Sequence, residues 1–135
     1  MSNPIITKQF HFCAAHQYGH KKWSQEKNTQ VFGKDAKVHG HNYTLEVSIT
    51  GDINPDTGWL IDLEYLKKIV NENVIKVFDH SRIESDIPWF QNKQPSSENM
   101  VIFIWGQLNK DLKEGKLHHI RLIETETIFT DYYGD

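Results

Sequence analysis

The stretch His39-Gly40-His41-Asn42-Tyr43-Thr44-Leu45-Glu46-Val47-Ser48-Ile49-Thr50 decides the fold of this chain. From His41 to Thr50 apolar and polar residues alternate, as they do on a half-buried β-strand whose side chains change face at every residue. Tyr43, Leu45, Val47 and Ile49 share one face, and His39 and His41 continue that face to the strand's start. Two imidazoles at the end of an apolar face need hydrogen bonds or a ligand.

Toward the N-terminus, Ile5 to His16 reads as a second strand. Phe10, Phe12, Ala14 and His16 lie on one face; Gln9, His11, Cys13 and Ala15 lie on the other. Antiparallel pairing sets the end of this strand beside the start of the next. His16, His39 and His41 then meet at one edge, with their rings on one face. Three neutral imidazoles suit zinc and leave a fourth tetrahedral position open. Solvated or backbone-bonded histidines are the plainer alternative.

The connection between these strands, Gln17 to Val38, is too long for a hairpin, and loops of that length often carry function. It holds Lys21, Lys22, Lys27, Lys34 and Lys37 against Glu26 and Asp35. Such a basic flap suits an anionic substrate such as a phosphate ester; a solvated lysine-rich loop accounts for the same charges.

Toward the C-terminus, Gly51-Asp52 and Asn54-Pro55-Asp56-Thr57-Gly58 supply turn chemistry. A helix follows from Asp62, its N-cap, to Val77, with Leu63, Leu66, Val70, Val74 and Val77 as its apolar stripe. A second helix runs from Ser97 to Lys113. Pro95-Ser96-Ser97-Glu98 signals its start and Gly115 its end. Two strands close the chain, His119 to Glu124 and Thr127 to Tyr133. The order ββααββ predicts an α+β fold, an antiparallel four-stranded sheet with two helices on one face.

The 135 residues fit one domain, 1–135, with 38% hydrophobic residues and a mean hydropathy of −0.60. A net charge of −3 argues against a nucleic-acid partner. Apolar runs such as Met100 to Trp105 are too short for a membrane span. Met1-Ser2-Asn3-Pro4 has no signal-peptide character, and Cys13 is the single cysteine, so a cytoplasmic protein is expected.

A set of ordered motifs completes the reading: Phe12-Cys13-Ala14-Ala15-His16, Phe32-Gly33-Lys34, His39-Gly40-His41-Asn42-Tyr43, Phe78-Asp79-His80, Ser97-Glu98-Asn99 and Ile123-Glu124-Thr125. Together they resemble the 6-pyruvoyltetrahydropterin synthase and 6-carboxytetrahydropterin synthase family. Asp86-Ile87-Pro88-Trp89-Phe90 leans toward the pyruvoyl branch. The resemblance implies the tunnelling fold (T-fold), in which ββααββ units form trimers around a barrel and two trimers stack into a homohexamer with active sites between subunits. It implies Zn²⁺ on His16, His39 and His41, and 7,8-dihydroneopterin triphosphate as substrate. It also implies that Zn²⁺ acts as a Lewis acid on the substrate's side-chain oxygens. His80 matches the family's acid–base histidine, with Asp79 to orient it. Glu124 matches the pterin anchor, and Ser97 and Glu98 add ring contacts at a helix start. Without the resemblance, Asp79-His80 reads as a bonded helix terminus. Glu124 reads as an ion-pair partner of Arg121 or a lysine, and Ser97-Glu98 as a cap.

The pattern departs from the family at one place. Most members carry a catalytic cysteine four to six residues before the first histidine of His-X-His, whereas here Asp35 follows Phe32-Gly33-Lys34. The expectation is that Asp35 stands in for the cysteine as general base, burial raising its basicity. An acidic residue near this position is associated in the family with side-chain cleavage to 6-hydroxymethyldihydropterin. Cys13 as the thiol, a non-catalytic pterin-binding protein and an engineered inactivation remain as alternatives.

Overall fold

In the computed structural model, which describes residues 3–134, the alternating stretches form β1 (Ile5–His16) and β2 (His39–Thr50). They pair antiparallel without a slip, from Ile5↔Thr50 to His16↔His39. Three more strands, β3 (Ser81–Arg82), β4 (Lys116–Thr125) and β5 (Ile128–Tyr132), complete one open sheet in the order β3-β1-β2-β4-β5. The β1–β2, β2–β4 and β4–β5 pairs are antiparallel, and β3 runs parallel to β1 at Ala14 and Ala15.

Period-two alternation sorts the side chains as the sequence predicts. Phe10, Phe12, Ala14 and His16 of β1 are buried, as are Tyr43, Leu45, Val47 and Ile49 of β2 and Leu117, Ile120 and Leu122 of β4. The helices cover this face. A connection helix, α1 (Gln25–Phe32), precedes α2 (Leu63–Val70), which widens through a π-type turn at Asn71–Ile75 into α3 (Lys76–Phe78). After the short α4 (Ile83–Asp86) comes α5 (Ser97–Asp111). Leu66, Val70, Val74 and Phe78 from the first long helical stretch join Met100, Val101, Ile104 and Leu108 of α5 in one core with the sheet. Asp62 caps α2 by accepting the Glu64 N–H at 2.9 Å, and Ser96 caps α5 by accepting the Asn99 N–H at 3.2 Å.

The α+β class stands, but the expected four-stranded antiparallel ββααββ arrangement needs two corrections. The sheet is mixed and has five strands, because Ser81–Arg82 adds a short parallel strand to the β1 edge. A two-residue strand has no periodicity of its own to read; its partner creates it. The connection from Gln17 to Val38 is also not all loop. It contains α1 and a tight turn at Gly33–Ala36. No residue of α1 is buried, so it has no apolar stripe to announce it. Its local signals are at its ends: the Ser24 hydroxyl accepts the Lys27 N–H at 3.0 Å, and Gly33, at φ 60°, donates its N–H to the Thr29 carbonyl. Among the described residues no helix is long and apolar enough to cross a membrane.

Candidate metal centre

The ungapped β1–β2 register places His16 directly opposite His39, with His41 two residues further along the same face. The ligand nitrogens of the three rings lie within 4.8 Å of one another, and Nε2 of His16 is 3.0 Å from Nε2 of His39. The remaining nitrogens of these two rings are already committed. Nδ1 of His16 bonds the Pro95 carbonyl at 2.7 Å, and Nδ1 of His39 bonds the Lys37 carbonyl at 2.8 Å. A carbonyl only accepts, so both Nδ1 atoms carry hydrogen, and in the neutral rings both Nε2 atoms present lone pairs to each other. Two lone pairs at that distance repel unless a proton or a cation lies between them. A tetrahedral ion with Zn–N bonds of about 2.0–2.1 Å sets its nitrogens roughly 3.3 Å apart, close to what these rings present. Backbone acceptors that fix the tautomer of a ligating histidine are the usual support of such a site. Burial pushes the His41 ring toward its neutral form. Glu124 pulls the other way, and the adjacent His16 and His39 rings reinforce burial. The donor set and its supports therefore make a candidate metal-binding site.

Other predicted residues gather beside it. On β4, Glu124 continues the inner row of Ile120 and Leu122, and it lies where the β4–β5 register shifts, the local kink of a β-bulge. It is half-buried and its Oε1 accepts the Ser97 hydroxyl at 3.2 Å. Ser97 itself is buried at the first turn of α5. Arg121 is not Glu124's partner, because its guanidinium is bound to Asp131 at 2.8 and 3.1 Å. Tyr18 and Tyr43 lie on this side too. Burial, then the Glu124 charge, pushes both phenols well above their usual range, and Glu98 adds to the effect on Tyr18. Glu98 is otherwise exposed at the start of α5.

Asp35 requires a correction. The site assembled here is the His16–His39–His41 group, and Asp35 is not a member of it. Its side chain is 58% exposed on the Gly33–Ala36 turn, with Oδ1 3.5 Å from His39 Nε2. The expectation of an enzyme in which Asp35 replaces the catalytic cysteine required a buried carboxylate, and the turn leaves it in solvent. The side-chain cleavage reading built on that base is withdrawn with it.

Asp79 and His80 occupy a different place. They lie between α3 and β3, at the outer edge of β1. Asp79 Oδ1 accepts the Cys13 N–H at 2.9 Å and Asp79 Oδ2 lies 3.0 Å from His80 Nδ1. The Cys13 N–H holds the Asp79 carboxyl below the usual carboxylate range, and His80 adds to this. His80 takes a left-handed backbone, φ 63°, and its N–H donates to the Cys13 carbonyl at 2.6 Å. That conformation is uncommon for a side-chain-bearing residue and turns the chain from helix into strand. The His80 side chain is 84% exposed. Among the described residues no bond joins this pair to the three histidines.

The residues that sequence reasoning missed act through the backbone or through burial: the carbonyls of Pro95 and Lys37, the main chain of Cys13, and the Tyr18 and Tyr43 phenols. Pro95 carried a helix-start signal, which says nothing of where its carbonyl points. Tyr43 was legible only as one member of the inner row.

Known proteins resemble the chain over almost all of its length. A family model described as "6-pyruvoyl tetrahydropterin synthase" matches residues 5–135. The Dictyostelium discoideum protein named 6-pyruvoyl tetrahydrobiopterin synthase is 38% identical over 131 residues, 97% of this chain and 96% of that protein. The Homo sapiens protein of the same name is 33% identical over 132 residues, 96% of this chain and 91% of that protein. The solved structure of Caenorhabditis elegans 6-pyruvoyl tetrahydropterin synthase matches with a TM-score of 0.88 at 30% identity, covering 100% of this chain and 99% of that one.

Proposed function

We propose a function from one premise: this chain belongs to the 6-pyruvoyl tetrahydropterin synthase family. It is a zinc-dependent lyase-like enzyme that acts on a pterin triphosphate. The observation that carries this reading is the convergence of His16, His39 and His41, with the Nε2 atoms of His16 and His39 3.0 Å apart and both their Nδ1 atoms bonded to carbonyls. His16, His39 and His41 hold the ion, and zinc supplies Lewis-acid polarisation of side-chain oxygens when bound.

The chain's own groups do the rest. Glu124, steadied by the Ser97 hydroxyl, accepts paired hydrogen bonds from the amino-pyrimidine edge of the pterin, and Glu98 adds a contact at the α5 start. Asp79 orients the His80 imidazole, which moves a proton at a side-chain carbon of the substrate. The exposure of His80 at the β1 edge supports delivery of this pair into the site of a neighbouring copy. The trimer-based homohexamer of the tunnelling fold provides such neighbours, and the open edges of the sheet, at β3 and β5, support it. The family match over residues 5–135 supports one pterin-synthase-like domain over 1–135. A cytoplasmic setting fits a chain whose one cysteine is free.

The test is incubation with 7,8-dihydroneopterin triphosphate, followed by mass spectrometry of the pterin, before and after chelation and with zinc restored. Conversion that stops on chelation and returns with zinc is expected. A chain that takes up no zinc, or converts the substrate equally without it, overturns the reading.

A further inference from the structure

Tyr43 carries a hydroxyl that its place in the inner row of β2 does not explain. The residue is 1% exposed, and its ring stacks on Phe12 with centroids 5.0 Å apart. Phenylalanine would pack in the same way. The Tyr43 hydroxyl oxygen is fully buried and has no hydrogen-bond partner among the described residues. A buried hydroxyl left unpaired destabilises the fold, because it has given up water for nothing. The Ser81 hydroxyl is the other buried side-chain atom in this state, and it lies away from the histidines, on β3.

A second unpaired group stands beside it. His16 and His39 each have one nitrogen fixed by a main-chain carbonyl, Pro95 for the first and Lys37 for the second. The His41 ring makes no hydrogen bond among the described residues. A ligating imidazole almost always donates its other N–H to a carboxylate, a carbonyl or water, which fixes the tautomer and orients the ring. His41 is thus the one ring of the three whose tautomer no bond sets. Tyr43 follows it on the same face of β2, with ring centroids 5.6 Å apart and planes at 73°.

On its other side the phenol meets a carboxylate. The β2–β4 register pairs Thr44 with Ile123, and one step further along sets Glu124 beside Tyr43. Oε1 of Glu124 accepts the Ser97 hydroxyl at 3.2 Å, while Oε2 makes no bond among the described residues. Burial is the main influence on both the His41 ring and the Tyr43 phenol, and the Glu124 charge is the next for both. His16, His39 and Asp35 act on His41 more weakly, and Tyr18 acts on Tyr43. A phenol donates one hydrogen bond and accepts others, so it can join a donor and an acceptor that do not touch.

We propose that Tyr43 is a positioning residue of the metal centre, its hydroxyl accepting the free ring N–H of His41 and donating to Oε2 of Glu124 when the three histidines hold an ion. The carboxylate that commonly steadies a ligating imidazole then acts through a phenol, and each bond of the chain polarises the next. A carboxylate has about four acceptor positions, so bonds from Ser97 and Tyr43 leave Glu124 able to meet a ring edge. The proposal rests on the functional reading above for the ion, and on the unpaired groups of His41, Tyr43 and Glu124 for the relay.

The test measures zinc affinity of the full chain by competition with a chromogenic chelator. Tyr43→Phe keeps the ring and removes the hydroxyl. It is expected to weaken zinc binding about 10–100-fold, the usual effect of losing an outer partner of a ligand. The metal-free variant is expected to unfold at the same or a higher urea concentration than the parent. Parental zinc affinity overturns the proposal, and so does a lowered metal-free midpoint, since the hydroxyl then serves the fold itself. Glu124→Gln tests the far end of the relay. It is expected to lower zinc affinity about tenfold in the parent and to change it little in Tyr43→Phe; a loss of the same size in both backgrounds overturns the relay. In zinc-loaded protein labelled with ¹⁵N-histidine, the His41 ring N–H is expected as a slowly exchanging signal that disappears in Tyr43→Phe while those of His16 and His39 stay. Persistence of the His41 signal in the variant also overturns the proposal. A chain that takes up no zinc defeats the functional reading and the relay together. One whose zinc affinity depends on Tyr43 but which converts no pterin defeats the functional reading alone.

Discussion

His16 and His80 show two ways of holding an imidazole. His16 is 1% exposed, and both its nitrogens are placed, one on the Pro95 carbonyl and the other against His39. His80 is 84% exposed and is steered by Asp79 alone. The first ring is packed into the helix-covered face of the sheet; the second stands off the edge of the same strand. A ligand must not move when an ion arrives, so burial and two fixed contacts serve it. A proton carrier must meet a substrate, and an exposed ring on an oriented stem serves that, provided another surface closes over it.

The largest expected effect separates these two regions outright. His16→Ala removes one of three ligands and is expected to abolish stoichiometric zinc uptake, read by metal analysis after dialysis. Asp79→Asn is expected to leave uptake intact. If Asp79→Asn also strips the metal, the two regions are one site and the comparison breaks.

Next in size is turnover. Asp79→Asn unsets the orientation of His80 and is expected to lower kcat by roughly 10²–10⁴-fold, the usual worth of a positioned acid–base group. Steady-state kinetics on zinc-loaded protein measure this, and a change confined to KM contradicts the assigned role.

A third prediction concerns what holds the exposed pair up. Phe78, the residue before Asp79, is fully buried and meets Phe12 at 5.1 Å and Phe103 at 5.7 Å. Phe78→Ala is expected to cost about 3–5 kcal/mol in urea unfolding. Because Phe12 lies on the inner face, a loss well below that range indicates that the edge is anchored from elsewhere.

The smallest effect lies on the sheet's opposite face. Arg121, and then His119, hold the Asp131 carboxyl below the usual carboxylate range. A carboxyl depressed in the folded state stabilises above its unfolded pKa, near 3.9, and loses that contribution as pH falls through the folded value. Stability is therefore expected to decline below about pH 4, and less steeply in Asp131→Asn. Parallel acid titrations of the two proteins by circular dichroism check the slope.

Much of the inner face was legible in advance. The alternation from His41 to Thr50 and from Ile5 to His16 sorted Phe10, Phe12, Tyr43, Leu45, Val47 and Ile49 correctly, and antiparallel pairing brought His16 to His39. The outer parts were less legible. The α1 segment Gln-Glu-Lys-Asn-Thr-Gln-Val-Phe is mostly polar and buries nothing, so its pattern matches a solvated loop. The place of Asp35 in the chain says where it lies relative to His39 but not that its turn faces solvent. Asp79-His80 was recognisable as a motif, while its attachment to the Cys13 main chain was not.

By itself the sequence determined which side chains share a face and which strand ends carry imidazoles, because the period of a strand is a local property of neighbouring residues. Only the tertiary structure decided which nitrogen of each ring is free, which carboxylate stands in solvent and which edge presents His80. Those outcomes depend on bonds such as His16 to Pro95 and Cys13 to Asp79, between groups 79 and 66 positions apart, and no local pattern encodes contacts at that range.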